Sequence, residues 1–272
     1  MTALAAIDSW PVRTASVAVI GPAGVVARRG ATDRVLPIAS VSKLLTAWGV
    51  LIAVEEGVLA LDEPAGPPGA TVRHLLAHAA GYAFDGPDPV GRPGVKRIYS
   101  NTGYEVLGGH LARASGLDVA TYVREAVLVP LAMADTDASG SPAHGFRSTV
   151  DDLARFAGEM LRPTLLAPVT VAEATRVQFA DLGGILPGVG RFSPNAWGLG
   201  PEIRDAKQPH WTGTTNSPAT YGHFGGSGTF LWVDPAIDLA CVMLADRPFD
   251  EWGLAHWPAL SDAVVAEHGG AG

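Results

Sequence analysis

Strand-forming sequence sits at both ends of the chain, with helical sequence between, and this arrangement constrains the fold more than any other feature. Ser16-Val17-Ala18-Val19-Ile20 and Val25-Val26-Ala27-Arg28 flank the turn Gly21-Pro22-Ala23-Gly24 and read as a hairpin. Far along the chain, residues 228–233 and 239–245 flank Asp234-Pro235-Ala236 and read as a second hairpin. Between them apolar residues recur at helical spacing. One helix is predicted from about Ser40 to Glu56, with Leu44, Leu45, Trp48, Leu51 and Ile52 as its stripe and Gly57 as its stop. Others are predicted at about 71–79, 101–115, 118–129 and 150–162, with Asp118 and Ser148 as N-caps for the last two. The last twenty residues also read as helix. Residues 61–69 and 85–94 are Pro/Gly-rich loops, and 163–209 has no clear pattern. Strands, helices, then strands imply one antiparallel sheet built from both chain ends with a helical segment inserted.

The expected fold class is therefore α/β plus an all-α lobe, within a single domain over 1–272. Its α/β lobe is expected at about 1–60 and 190–272, and its helical lobe at about 61–189. The chain has 272 residues, 47% of them apolar and 17% charged, enough to bury a large core. A net charge of −8 repels phosphate backbones, so nucleic acid is not expected as a partner. The basic pairs Arg28-Arg29 and Lys96-Arg97 read as solvated strand or loop ends. The lone Cys241 lies in an apolar run and reads as core. No apolar run reaches 18 residues and the first residues lack a basic, then apolar, leader pattern. A cytosolic protein with no membrane partner is expected.

Ser40-Val41-Ser42-Lys43 places a hydroxyl and an amine one helical turn apart. A serine hydroxyl becomes a useful nucleophile when a neighbour takes its proton, and a lysine can do so when burial lowers its pKa. Tyr99-Ser100-Asn101 adds a phenol able to share that proton and a carboxamide able to donate and accept. His223-Phe224-Gly225-Gly226-Ser227-Gly228 sets glycines before an apolar strand, where backbone N–H groups are open to a ligand. His74 and His78 are four apart, but Leu75 stands where a zinc helix would need its Glu, so no metal site is expected. No phosphate-binding or dinucleotide loop is visible either, and no cofactor is expected. Trp197, Trp211 and Trp232 read as buried aromatic core.

S-x-x-K, Y-x-N and H-x-G in that order resemble the class C β-lactamase and penicillin-recognising serine hydrolase family. Leu75–Gly81, Tyr99–Tyr104, Ser148–Leu153 and Trp197–Gly200 are similar to further segments of that family, and the resemblance runs over roughly residues 30–247. It implies a β-lactamase/transpeptidase-like fold and acyl transfer through Ser40, with Lys43 and Tyr99 as the proton relay. It further implies that Asn101, His223 and Gly225 contact substrate, and that the N–H groups of Ser40 and Gly226 form an oxyanion hole. His223 stands where relatives often carry a lysine. A histidine there gives a weaker and pH-dependent anchor for a substrate carboxylate. That substitution favours small ester or amide substrates, esters first, over β-lactams and D-Ala peptides. Transfer of the acyl group to an alcohol or amine in a biosynthetic pathway is the second reading, with weak β-lactamase or D-Ala peptidase activity beside it, and a binding module that has lost turnover the third.

Overall fold

The computed structural model describes residues 2–270. Its first strands are β1 (Ala15–Gly21), β2 (Gly24–Arg29), β3 (Leu36–Pro37), β4 (Arg97–Ile98) and β5 (Arg147–Ser148). Then come β6 (Gly184–Leu186), β7 (Gly190–Phe192), β8 (Glu202–Ile203), β9 (Tyr221–Gly225), β10 (Thr229–Asp234) and β11 (Leu239–Ala245). Six strands form the main sheet in the order β2-β1-β11-β10-β9-β8, every neighbouring pair antiparallel. The amino-terminal hairpin thus pairs with the carboxy-terminal one along β1 and β11, from Ala15 opposite Ala245 to Ile20 opposite Ala240.

Both faces of this sheet are covered, which explains why β11 is apolar without alternation. Ala18, Ile20, Leu231, Val233, Val242 and Leu244 face one core, and Val17, Val19, Phe230, Trp232, Cys241 and Met243 face the other. The first core is closed by α1 (Ser42–Glu55) and by α5 (Val150–Leu161), which lies across β1 and β11. The second is closed by α7 (Glu251–His268) through Trp252, Trp257, Leu260 and Val264.

The remaining helices lie between the two halves of the sheet in sequence: α2 (Val72–Leu76), α3 (Asn101–Ser115), α4 (Val119–Val123) and α6 (Pro168–Thr175). This segment also carries a small sheet, β4-β6-β7. Several elements differ from the sequence reading. The turn of Ala39–Val41 is a 3-10 helix, so Ser40 precedes α1 rather than opening it. Thr149, not Ser148, caps α5, its hydroxyl accepting from the Asp152 N–H at 3.0 Å. α2 is shorter than 71–79, and after α4 the chain continues as a π-helical turn over Arg124–Leu128. The unplaced 163–209 segment supplies α6, β6, β7 and β8.

Arg97 is not a solvated end. It is 2% exposed, and its guanidinium donates to the carbonyls of Ala77, Asn195, Gln178 and Phe179. A buried guanidinium is tolerable where every N–H finds an acceptor. Arg28 and Arg29 do lie at the surface, paired with Asp151 and Asp8. Among the described residues no helix is long and apolar enough to cross a membrane.

Candidate active site

The site lies where the 3-10 turn before α1 meets the end of β9. Ala39 has φ +44°, a left-handed conformation that costs a non-glycine residue on the order of 1 kcal/mol, immediately before Ser40. The turn is pinned from several sides. Ser42 Oγ donates to the Ala39 carbonyl at 2.6 Å and accepts from the Phe146 N–H at 3.1 Å. Ser227 Oγ donates to the Pro37 carbonyl and Thr229 Oγ1 to the Ile38 carbonyl. Gly225 has no room for a side chain: a Cβ there would sit 2.5 Å from the Ile38 carbonyl oxygen and 3.0 Å from Ala39 Cβ. Its lack of a side chain lets β9 touch the turn that presents Ser40.

Lys43, on the first turn of α1, is fully buried beneath the partly exposed Ser40. Its Nζ donates to Asn101 Oδ1 at 2.7 Å, to the Ala143 carbonyl at 2.8 Å and to Ser40 Oγ at 3.4 Å. Burial lowers its pKa from the usual lysine value to about 7, while the charges of Glu105 and then Asp85 pull it back up. The ammonium also sits over the Tyr99 ring, 4.7 Å from its centroid.

Tyr99 leads into α3. Burial pushes its phenol well above the usual tyrosine range, and a hydrogen bond with Ser40 works the other way. The ring rests on His78 at 4.5 Å, itself held at φ +54° and accepting the Ser100 N–H on Nδ1. Trp197 closes the floor, its ring 4.9 Å from His78 and 5.7 Å from His223. Both ends of the Asn101 carboxamide are engaged: besides accepting from Lys43, its Nδ2 donates to Asp85 Oδ1 at 3.1 Å.

His223 is 2% exposed on β9, where burial foremost, then the Lys43 charge, push its pKa down to about 3. A shift in that direction favours the neutral imidazole near pH 7. Its Nδ1 lies 2.6 Å from the Phe224 carbonyl and must carry the proton to donate there, so Nε2 is a bare acceptor with no hydrogen-bond partner among the described residues. Ser40, Tyr99, His223 and Gly226 line one cavity of about 200 Å³, with Phe84, Leu186, Pro187 and Phe249 as apolar walls. The turn after β9 thus places Gly226 on the same cleft as Ser40. A larger cavity of about 660 Å³ adjoins it but does not include Ser40.

The sequence reading missed Asp85, the Ala143 carbonyl and the walls from 186–188. A backbone carbonyl carries no sequence signal, and Asp85 sits in a loop whose path composition does not reveal. His74 and His78 take different tasks: His74 Nδ1 meets the Thr71 hydroxyl at 2.9 Å and its ring stacks on Phe179. Among the described residues no group of three His, Cys, Asp or Glu side chains gathers as metal ligands.

A sheet built from both chain ends, a short turn bearing a serine, and a buried lysine beneath it together make an arrangement suited to serine-based acyl transfer. The Beta-lactamase family model matches residues 8–264, and the chain belongs to that family. A structure described as a beta-lactamase from Mycobacterium bovis is 54% identical, with a TM-score of 0.97 over 98% of this chain and 99% of that one. The Beta-lactamase of Escherichia coli (strain K12) is 23% identical in an alignment that covers 90% of this chain and 82% of its own length. Penicillin-binding protein 4* of Bacillus subtilis (strain 168) is 28% identical in an alignment that covers 39% of this chain and only 31% of its own length. The fold is the β-lactamase/transpeptidase-like one.

Proposed function

We propose that the protein hydrolyses carboxylic esters through an acyl-enzyme on Ser40. The observation that carries this reading is the buried Lys43 amine 3.4 Å from Ser40 Oγ, with a pKa brought to about 7. At neutral pH a good share of such lysines are unprotonated and able to take the serine proton. In that reading Ser40 Oγ attacks the ester carbonyl as its proton passes to Lys43 Nζ. The oxyanion is held by the N–H groups of Ser40 and Gly226. Tyr99, neutral and beside Ser40, relays the proton to the departing alkoxide as the carbonyl–oxygen bond breaks. Water then attacks the acyl group, giving its proton to the same relay, and Ser40 Oγ leaves with that proton.

The neutral His223 supports esters over β-lactams or D-Ala peptides, whose carboxylate would meet an acceptor rather than a cation there. Acyl transfer is the second reading: the cleft walls at Phe84, Leu186, Pro187 and Phe249 are apolar, and they suit an organic alcohol or amine as acyl acceptor as well as they suit water. Two structures that share the fold at 18% and 17% identity are described as simvastatin synthase of Aspergillus terreus (TM-score 0.77) and EstCE1, a hydrolase with promiscuous acyltransferase activity (TM-score 0.78). The first covers 97% of this chain and 93% of its own; the second covers 96% of each.

The test is hydrolysis of a short-chain p-nitrophenyl ester by wild type and by Ser40→Ala, with circular dichroism to check the fold. Loss of turnover in the variant supports the reading; turnover that survives it refutes Ser40 as the nucleophile. Product analysis with an added alcohol separates hydrolysis from transfer.

A further inference from the structure

The larger cavity beside the nucleophile has a composition that the ester chemistry alone does not explain. It shares Phe84, Tyr99 and Pro187 with the smaller Ser40 cavity, so the two lie side by side along these residues. Its walls include Val95 and Ile185, which are 53% and 50% exposed, and Phe84, which is 49% exposed. Exposed apolar side chains gathered along a groove mark a surface that binds something apolar.

Two further lining residues are Lys96 and Arg191, both exposed, and the lining contains no acidic side chain. Among the described residues neither cation forms an ion pair with a carboxylate, although the chain carries 27 acidic residues against 19 basic ones. Arg97, next to Lys96, is fully committed to backbone carbonyls inside the protein, so it does not compete for a ligand. On an acidic protein, two free cations over an apolar groove that leads to the nucleophile form a local exception to the global charge. Such a site recognises an amphiphile: an apolar segment along the apolar walls and an anionic group at the cationic part of the lining.

We infer that this groove binds the distal part of the substrate, an apolar chain ending in an anion that Lys96 and Arg191 hold while its ester carbonyl lies at Ser40. The inference rests on the ester-hydrolase reading and names the substrate class for the same site. The anion is a carboxylate or a phosphate; both are oxyanions that either cation can bind.

The experiment compares three p-nitrophenyl esters of equal acyl length, ending in a carboxylate, a phosphate monoester or a methyl group. The expected result is a kcat/KM for an anionic ester roughly three- to tenfold above that of the methyl-ended one. That ratio is expected to fall as salt rises and to approach one in Lys96→Ala/Arg191→Ala. The carboxylate and phosphate arms tell the two anion classes apart. Equal or faster turnover of the methyl-ended ester overturns the inference while leaving ester hydrolysis intact. Calorimetric binding of the same esters to Ser40→Ala gives a readout independent of turnover. Tighter binding of the anionic esters supports the groove even where wild type hydrolyses none of them, an outcome that refutes only the hydrolase reading. Equal binding there overturns the groove assignment.

Discussion

Lys43 Nζ stands nearer to Asn101 Oδ1, at 2.7 Å, than to Ser40 Oγ, at 3.4 Å. The amine is thus parked against an amide oxygen and a backbone carbonyl, both of which accept from it. Asn101 is in turn fixed by Asp85. Replacing Asn101 by Leu removes one acceptor and frees the lysine to wander from its line to the serine. Mispositioning of a proton acceptor by about 1 Å costs about a hundredfold in rate. Asn101→Leu is expected to lose activity on this scale mainly in kcat, with the fold retained; steady-state kinetics on a p-nitrophenyl ester check it.

The acid limb of the pH–rate profile is expected near pH 7, because Lys43 must be neutral to accept the serine proton and burial brings its pKa to about 7. Activity then rises as pH increases through that value. Glu105 is exposed and acts on Lys43 by charge, raising its pKa. Glu105→Gln removes that attraction for the ammonium, so its limb moves to lower pH. His223→Gln is expected to leave the limb where it is, since His223 is already uncharged over this range. A limb that vanishes in His223→Gln assigns it to the histidine instead. kcat/KM measured from pH 5 to 9 decides.

A chromogenic cephalosporin is expected to be hydrolysed far more slowly than a short-chain p-nitrophenyl ester. Its carboxylate would approach a buried imidazole whose Nε2 offers only a lone pair, and two acceptors facing each other repel. Parallel turnover measurements on one enzyme preparation test this, and comparable rates would refute it.

The sheet was readable in the sequence because its strands are long, apolar and bounded by strong turns, as in Leu239–Ala245 after Asp234-Pro235-Ala236. The candidate side chains were readable because S-x-x-K, Y-x-N and H-x-G tie chemistry to spacing. Burial was less legible. Arg97 looks like its solvated neighbour Lys96, because nothing local reveals that four distant carbonyls converge on it. The depressed pKa values of Lys43 and His223 likewise arise from packing by Tyr99, Trp197 and the Ala143 loop, which meet only in three dimensions. Residues 163–209 gave no pattern because their strands are two or three residues long and broken by Gly and Pro.

Gly225→Ala tests whether the strand holds the nucleophile in place. The new methyl would lie 2.5 Å from both the Ile38 carbonyl oxygen and Thr229 Oγ1, closer than any relaxed contact. Backbone φ at this position is not left-handed, so alanine meets no torsional penalty and the effect is purely steric. The Ile38–Ser40 turn must shift, or β9 must part from it. Either movement carries the Ser40 hydroxyl away from Lys43, and the Gly226 N–H from the carbonyl it would polarise. Overpacking of this kind costs about 1–3 kcal/mol of stability, a small part of which a robust fold tolerates. Loss of one oxyanion donor costs about a hundredfold or more in rate. Gly225→Ala is therefore expected to fold, to melt at a lower temperature, and to lose far more activity than stability. Gly158→Ala on α5 serves as the control, since a Cβ there meets nothing within 4 Å and the residue lies outside the cleft. Thermal melts alongside ester turnover for both variants read the difference, and wild-type activity in Gly225→Ala would show that the turn does not depend on this contact.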